Sequence, residues 1–288
     1  MKDPRLIDGV AVKNEILAEV RAYTCAHPNI PALVSILIGD QPESAVYVRN
    51  QKRTADKADI PFDEQIWPAD ITQEDCKKRI IAMNDDPAVL GVILQRPVPD
   101  HINVRSLQSA IHPLKDVEGM NPASIGNIVY SDVALAPCTA AASVELIKRT
   151  GLPMQGLEVV MIGHSEIVGK PAAMMLMAEG ATVTVCHHMT RSVAMHSRRA
   201  DVVVVAVGKA YLIGADMIKP GAVVIDIGIN QIDTPDGSKI VGDVDTDAVI
   251  EIAGWVTPVP GGVGPVTVSI LMRNAVVAHE RQIAAGWL

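Results

Sequence analysis

Short runs of Val, Ile, Leu and Ala recur along this chain, each separated from the next by a stretch long enough for a helix. In the first half the apolar runs span residues 32–38 and 89–94, with a weaker one at 65–67. Residues 43–58, 72–84 and 104–111 read as helices. In the second half the runs span residues 159–162, 182–186, 202–207 and 223–227. Unbroken apolar runs at this spacing predict parallel strands covered on both faces by helices, an α/β fold. Aromatic residues are 3% of the chain, so the core rests on aliphatic side chains.

A chain of 288 residues is comfortable for two domains. Residues 113–139 lack clear periodicity and are rich in Pro, Gly, Asn and Asp, which places the junction there. The expected division is 1–137 and 138–267, with a connecting helix over 135–150 entered through Pro137-Cys138-Thr139. The tail reads as helical from Val266, and residues 268–288 are expected to return to the first domain.

The formal charge of -8 argues against a nucleic-acid backbone or an anionic membrane as main partner. Cys25, Cys76, Cys138 and Cys186 lie far apart, which argues against a zinc site or a disulfide framework and suits a reducing cytosol. Met1-Lys2-Asp3-Pro4-Arg5 leads into a polar, helix-like stretch, with no signal peptide or spanning segment expected.

After the run Val159-Val160-Met161-Ile162 comes Gly163-His164-Ser165-Glu166-Ile167-Val168-Gly169-Lys170-Pro171, then a helical Ala/Met segment. A glycine-bearing turn between strand and helix lets the backbone approach a pyrophosphate, which the helix N-terminus favours. The spacing Gly-x-Ser-x-x-x-Gly is not the usual dinucleotide fingerprint, so an ordinary tight turn competes with that reading. The next strand ends at Cys186-His187-His188-Met189-Thr190-Arg191, where such a domain meets the adenosine ribose. No acid stands there to hold two ribose hydroxyls, while His188 and Arg191 can meet a 2′-phosphate, which leans toward NADP with NAD the alternative. Turns at Gly208 and at Gly228-Ile229-Asn230 follow strands where a cofactor would lie. His27, His101, His112, His196 and His279 match no motif and read as surface or helix-end residues.

Three further segments narrow the field. They are Gly39-Asp40-Gln41-Pro42-Glu43-Ser44 with Tyr47; Gln95-Arg96-Pro97-Val98-Pro99 with Lys115-Asp116-Val117-Glu118-Gly119; and Thr257-Pro258-Val259-Pro260-Gly261-Gly262-Val263-Gly264-Pro265-Val266-Thr267. With residues 163–171 they resemble the methylenetetrahydrofolate dehydrogenase/cyclohydrolase family, in order and without large insertions, over residues 6–274. The resemblance implies an N-terminal α/β folate-binding domain and a Rossmann-type NAD(P)-binding domain, a cleft between them, and a homodimer. It also implies oxidation of 5,10-methylenetetrahydrofolate to the methenyl cation and, in most members, hydrolysis of that cation to 10-formyltetrahydrofolate.

Carried onto this sequence, the resemblance assigns Tyr47, Gln51, Gln95 and Glu118 to catalysis. Tyr47, Gln95, Glu118, Pro260, Gly261, Gly262 and Pro265 are expected to bind substrate. Thr139, Gly163, His164, Ser165, Ile167, His188, Arg191, Gly208, Ile229 and Thr267 are expected to bind the cofactor. No metal is expected.

This chain departs from the family pattern at several of these positions. The usual Tyr-x-x-x-Lys turn reads Tyr47-Val48-Arg49-Asn50-Gln51, with Lys52 one step, about 100°, around the helix. Hydride removal moves no proton, but hydrolysis needs a group that exchanges one, and a neutral amide does not. The expectation is therefore a dehydrogenase whose cyclohydrolase activity is weak or absent. The alternatives are a fully bifunctional enzyme, in which Gln95, Lys52 or a water substitutes, and an NAD(P) oxidoreductase with another substrate. A non-catalytic relative is a further reading. Glu118 stands where the family has Asp, and Arg96 replaces a leucine and can pair with it. Ser124 replaces Asn, Ala140 replaces Pro, and His164 replaces the Arg of Gly-Arg-Ser.

Overall fold

The computed structural model describes residues 3–235 and 237–288. Met1 and Lys2 of the leader reading, Asp236, and the side chains of Pro42 and Glu43 in the first family segment lie outside the described residues. The chain forms two compact units, Asn14–Cys138 with Val268–Leu288, and Met1–Lys13 with Thr139–Thr267. The start differs from the expected 1–137 division. Leu6 forms a parallel bridge to Val256. The Ile7 N–H donates to the Val256 carbonyl and the Val256 N–H to the Arg5 carbonyl, both at 2.9 Å, so the N-terminal segment pairs with a second-unit strand. No helix among the described residues is long and apolar enough to cross a membrane.

Helix α1 (Gly9–Ala26) runs from one unit into the other. The first unit then contains β1 (Ala32–Ile38), α2 (Pro42–Lys57), β2 (Phe62–Trp67), α3 (Gln73–Asp85), β3 (Val89–Leu94), α4 (Val104–Ala110) and α5 (Pro122–Val129). Its sheet is parallel, in the order β2-β1-β3. All of β3 is buried, although it is an edge strand. Gln282 of the C-terminal segment explains this: its Nε2 donates to the Leu90 carbonyl at 2.7 Å and to the Leu114 carbonyl at 2.9 Å, covering backbone that an edge would expose. β2 carries the other edge, and Asp63 and Glu64 keep it polar. Helix α5 lies inside the stretch read as a junction. Asn121 caps it, accepting from the Ala123 N–H at 2.7 Å, and Pro122 occupies its first turn. That Asn-Pro pair was the local signal for it.

In the second unit the elements are α6 (Cys138–Arg149), β4 (Glu158–Ile162), α7 (Gly169–Ala178), β5 (Thr182–Cys186), α8 (Val193–Ser197), β6 (Val202–Val205), β7 (Val223–Asp226), β8 (Asn230–Thr234), β9 (Gly237–Val241), α9 (Thr246–Val249) and β10 (Trp255–Val256), and α10 (Val263–Ala284) begins there and continues as part of the first unit from Val268. α6 begins at Cys138 rather than at residue 135, because Pro137 disfavours helical geometry in the residue before it. Five strands form a parallel sheet in the order β10-β7-β6-β4-β5. Chain order reverses between β4 and β6, a switch point where crevices form beyond the carboxyl ends of strands. The antiparallel hairpin β8–β9 was not expected. β8 alternates in exposure and β9 is exposed up to Val241, so neither forms an apolar run, and the sequence cue is the turn chemistry of Pro235-Asp236-Gly237.

Candidate functional site

In the first unit, Tyr47 and Gln51 stand one turn apart on α2 and so share a face. Tyr47 is 43% exposed and Gln51 is fully buried. The Gln51 Oε1 accepts from Gln95 Nε2 at 2.6 Å, and the same Nε2 donates to Ser35 Oγ on β1 at 3.0 Å. The Gln95 N–H donates to the Ile36 carbonyl at 2.9 Å, fixing that side chain just beyond β3. These bonds hook α2 onto the middle of β1 and the carboxyl end of β3. Among the described residues, Gln51 Nε2 is buried without a partner. An unmet buried donor costs roughly 1–3 kcal/mol, so it is a group with capacity left for a ligand. α2 runs unbroken and Lys52 is exposed, so no helix distortion turns Lys52 inward in place of the missing lysine.

Glu118 is half-buried, and its Oε2 accepts from the Leu94 N–H at 2.9 Å. Burial pushes its pKa up to about 7; Asp116 adds to this, while the Leu94 N–H and Arg96 oppose it. Asp116 is fully engaged, accepting from Ser124 Oγ at 2.7 Å and from the Asn121 and Met120 N–H groups at 2.7 and 3.0 Å. Ser124 in place of Asn therefore keeps a donor on Asp116. Arg96 is exposed, and among the described residues no ion pair joins it to Glu118, contrary to the expected pairing. Its backbone carbonyl instead accepts from Ser44 Oγ at 2.9 Å. Burial raises the Tyr47 phenol well above its usual value, with Cys138 and Glu118 adding to the effect and the neighbouring Gln51 side chain opposing it. Cys138 thus joins this neighbourhood unexpectedly. Its thiol is itself pushed up by burial, and it accepts from Asn274 Nδ2 at 3.6 Å. Its cue was its place between Pro137 and Thr139.

In the second unit, Gly163 turns the chain at φ +116°, and a Cβ there would lie 2.1 Å from the Ala206 carbonyl oxygen. Gly169 opens α7 so close to that turn that its Cβ would lie 2.2 Å from the Gly163 oxygen. His164, Ser165 and Ile167 are exposed on the turn, and Ser165 Oγ accepts from the Gly169 N–H at 3.4 Å. Opposite them, just beyond β5, stand His187 and His188, and exposed Arg191 follows in the same loop. The Gly208 N–H, expected at the cofactor, is instead engaged by Asp243 Oδ2 at 3.0 Å. Asp243 also accepts from the Val207 and Lys209 N–H groups, both at 2.7 Å, and from Asn230 Nδ2 at 2.9 Å. Asp226 accepts from the N–H groups of Gly228, Asp243 and Val244 at 2.8, 3.1 and 2.9 Å. Burial nonetheless raises it to about 6. Neither aspartate carries a local motif that sequence reading could have used.

Ile229 is 70% exposed, Thr139 is half-buried, and Thr267 is buried with its Oγ1 donating to the Val263 carbonyl at 3.2 Å. Pro260 is exposed, Pro265 is half-buried and Gly261 has φ +109°. A Cβ on Gly262 would lie 2.6 Å from the Pro258 oxygen. The expected site residues thus divide between the units, with Tyr47, Gln51, Gln95 and Glu118 in one and the remainder in the other. His279 departs from the surface reading: it is buried on α10, with its Nδ1 2.9 Å from the Tyr23 hydroxyl.

Two family models match the chain, the catalytic domain of tetrahydrofolate dehydrogenase/cyclohydrolase over residues 7–118 and its NAD(P)-binding domain over 137–283. The chain belongs to this family. "Bifunctional protein FolD 3" of Roseobacter denitrificans is 78% identical over 100% of this chain and 99% of its own. The fold matches the bifunctional FolD methylenetetrahydrofolate dehydrogenase/cyclohydrolase of Campylobacter jejuni with a TM-score of 0.91 at 36% identity, covering 96% of this chain and 99% of that one. A Trypanosoma brucei FolD structure, complexed with NADP cofactor and inhibitor, matches at TM-score 0.91 and 35% identity, covering 98% of this chain and 99% of that one. The exposed family turn at residues 164–167 carries one imidazole and faces two more, His187 and His188, a donor set suited to an anionic dinucleotide.

Proposed function

We propose that this chain oxidises 5,10-methylenetetrahydrofolate to methenyltetrahydrofolate with NADP, and that it also hydrolyses the methenyl product. The carrying observation is the buried Gln51–Gln95–Ser35 chain, which fixes the α2 face below Tyr47 and leaves one amide donor open. Removal of hydride leaves a cation spread over two nitrogens, so the site's task is to orient the one-carbon bridge. Gln51 suits that task because it adds no positive charge beside the developing cation. NADP, when bound, supplies the hydride acceptor; Gly163, Ser165 and the imidazoles beyond β5 would hold it.

Hydrolysis requires a group that trades protons near neutrality. Gln51 cannot, but Glu118, at about 7, can. The relatives' names favour this bifunctional reading over the weak hydrolysis expected from Gln51 alone. The weaker-hydrolysis reading retains one support: no lysine stands on the α2 face one turn beyond Tyr47. A paired assay on one purified sample separates the two, following methenyl formation with NADP and methenyl loss above the buffer rate. Comparable rates support the bifunctional reading. Dehydrogenation alone, with hydrolysis gained by Gln51→Lys, supports the other. Silence in both assays would overturn the folate reading. The family expectation of a homodimer belongs to the same proposal, and sedimentation equilibrium tests it.

A further inference from the structure

One amide on α10 holds the backbone on both sides of Glu118. Residues 116–119 form a tight turn, closed by the Gly119 N–H donating to the Asp116 carbonyl at 3.1 Å, with Glu118 near its tip. Asn274, 5% exposed on α10, donates from Nδ2 to the Val117 carbonyl at 2.9 Å and to the Ala136 carbonyl at 3.1 Å. An amide nitrogen carries two hydrogens, so these two bonds use both. The Cys138 sulfur, 3.6 Å from the same nitrogen, is the weaker third neighbour. A peptide group is planar, so holding the Val117 oxygen also sets the direction in which the Glu118 Cα leaves. On the far side Gly119, at φ +67°, lies so close to Ala136 that a Cβ there would stand 2.3 Å from the Ala136 carbonyl carbon. The second bond of Asn274 fixes that same residue. Val117 is wedged against β3, where a Cβ on Gly91 would meet its Cγ1 at 2.3 Å. So held, the turn delivers the Glu118 carboxyl to the Leu94 N–H at 2.9 Å.

We propose that Asn274 is a positioning residue for Glu118, acting on hydrolysis only through the place it gives that carboxyl. The inference rests on the reading of Glu118 as the group that trades protons in hydrolysis, and adds what holds it there. Without the amide, two buried carbonyls lose their donor, and the turn keeps its own closing bond and the Leu94 contact. A misplacement of about 1 Å costs up to about a hundredfold in rate. Hydride removal takes no proton from Glu118, so it should feel the loss far less. The ionisable groups that face Glu118 are Asp116 on its own turn, Arg96 beyond β3, Tyr47 on α2 and Cys138 at the start of α6. Asn274 adds no charge to that set, so its removal changes the titration of Glu118 only by moving the carboxyl. Gln282 supplies the comparison. It stands just over two turns further along α10, is 1% exposed, and its Nε2 also holds two backbone carbonyls, those of Leu90 and Leu114. Both lie outside the 116–119 turn.

The test follows both half-reactions of the full chain from about pH 5 to 9, in the native protein, Asn274→Ala, Gln282→Met, Glu118→Gln and the double variant of Asn274→Ala with Glu118→Gln. Asn274→Ala should lower hydrolysis at least about tenfold and leave dehydrogenation within about threefold. It should also move the limb near pH 7 toward the ordinary glutamate range. Added to Glu118→Gln, it should have no further effect on hydrolysis, because residues that act as one unit are not additive. Gln282→Met should lower the Tm while the two activities keep their native ratio and pH profile. Were Asn274→Ala unable to fold, Asn274→Ser, which keeps one donor, takes its place in the same assays. An additive double variant, an unmoved pH limb, or a Gln282→Met enzyme that behaves as Asn274→Ala does would overturn the positioning role and leave the role of Glu118 intact. Hydrolysis that survives Glu118→Gln, or that the native chain lacks, would overturn the underlying reading as well.

Discussion

The two units each present polar side chains where their parallel strands end, but they use them in opposite ways. In the second unit Asp226 and Asp243 are saturated, with seven donors between them drawn from turn backbones and Asn230. In the first unit Gln51 keeps a buried amide donor open, and Glu118 sits where burial shifts its titration to about 7. A saturated carboxylate organises the turns around it and has little capacity left for a ligand. An unsatisfied amide and a carboxyl poised near neutrality cost stability and retain capacity for chemistry. The contrast separates scaffold from candidate chemistry among groups that a sequence writes with the same letters.

The largest expected effect breaks the scaffold side. Gly163→Ala puts a Cβ 2.1 Å from a backbone oxygen at φ +116°, so the second unit should lose about 3–5 kcal/mol in denaturant titration of the full chain. Asp243→Ala should cost about 3 kcal/mol, because four donors that it satisfies lose their acceptor. A cost below about 1 kcal/mol would mean that water replaces the carboxylate, and the contrast between the units would weaken.

Glu118→Gln tests the chemical side. Hydrolysis should fall at least about a hundredfold, with dehydrogenation less affected, and its pH profile should lose the limb near pH 7. The same group links stability to pH. Its folded value, about 7, lies above the ordinary glutamate value of 4.5. Its contribution is therefore intact below pH 4.5 and is lost as pH rises through 7, by roughly 3 kcal/mol. Glu118→Gln should flatten that slope, and an unchanged slope would assign it to other groups. The smallest effect belongs to Gln51→Leu. It removes an unmet donor, while Gln95 Nε2 keeps Ser35, so stability should change by less than about 1 kcal/mol while the steady-state rates move.

Much of this was legible in one dimension because its physics is local. The strands announced themselves as unbroken aliphatic runs, and the turn at Gly163 by a glycine between strand and helix. The α2 face announced itself by the four-residue step from Tyr47 to Gln51. The hairpin β8–β9 and helix α5 lacked an apolar run, and their cues lay in turn and capping residues. The sequence by itself determined the family, the alternation of strands and helices, and the loss of a lysine at residue 51. Only the tertiary structure decided what surrounds that position: Gln95 lies 44 residues away in sequence and its second acceptor, Ser35, 60 from Gln95. It also decided that Asp243 is spent on the turn after β6, that Arg96 does not pair with Glu118, and that His164 meets His187. Hydrogen-bond capacity and the free energy of a buried charge depend on which groups the fold brings within a few ångströms, and strand register sets that distance where sequence spacing does not.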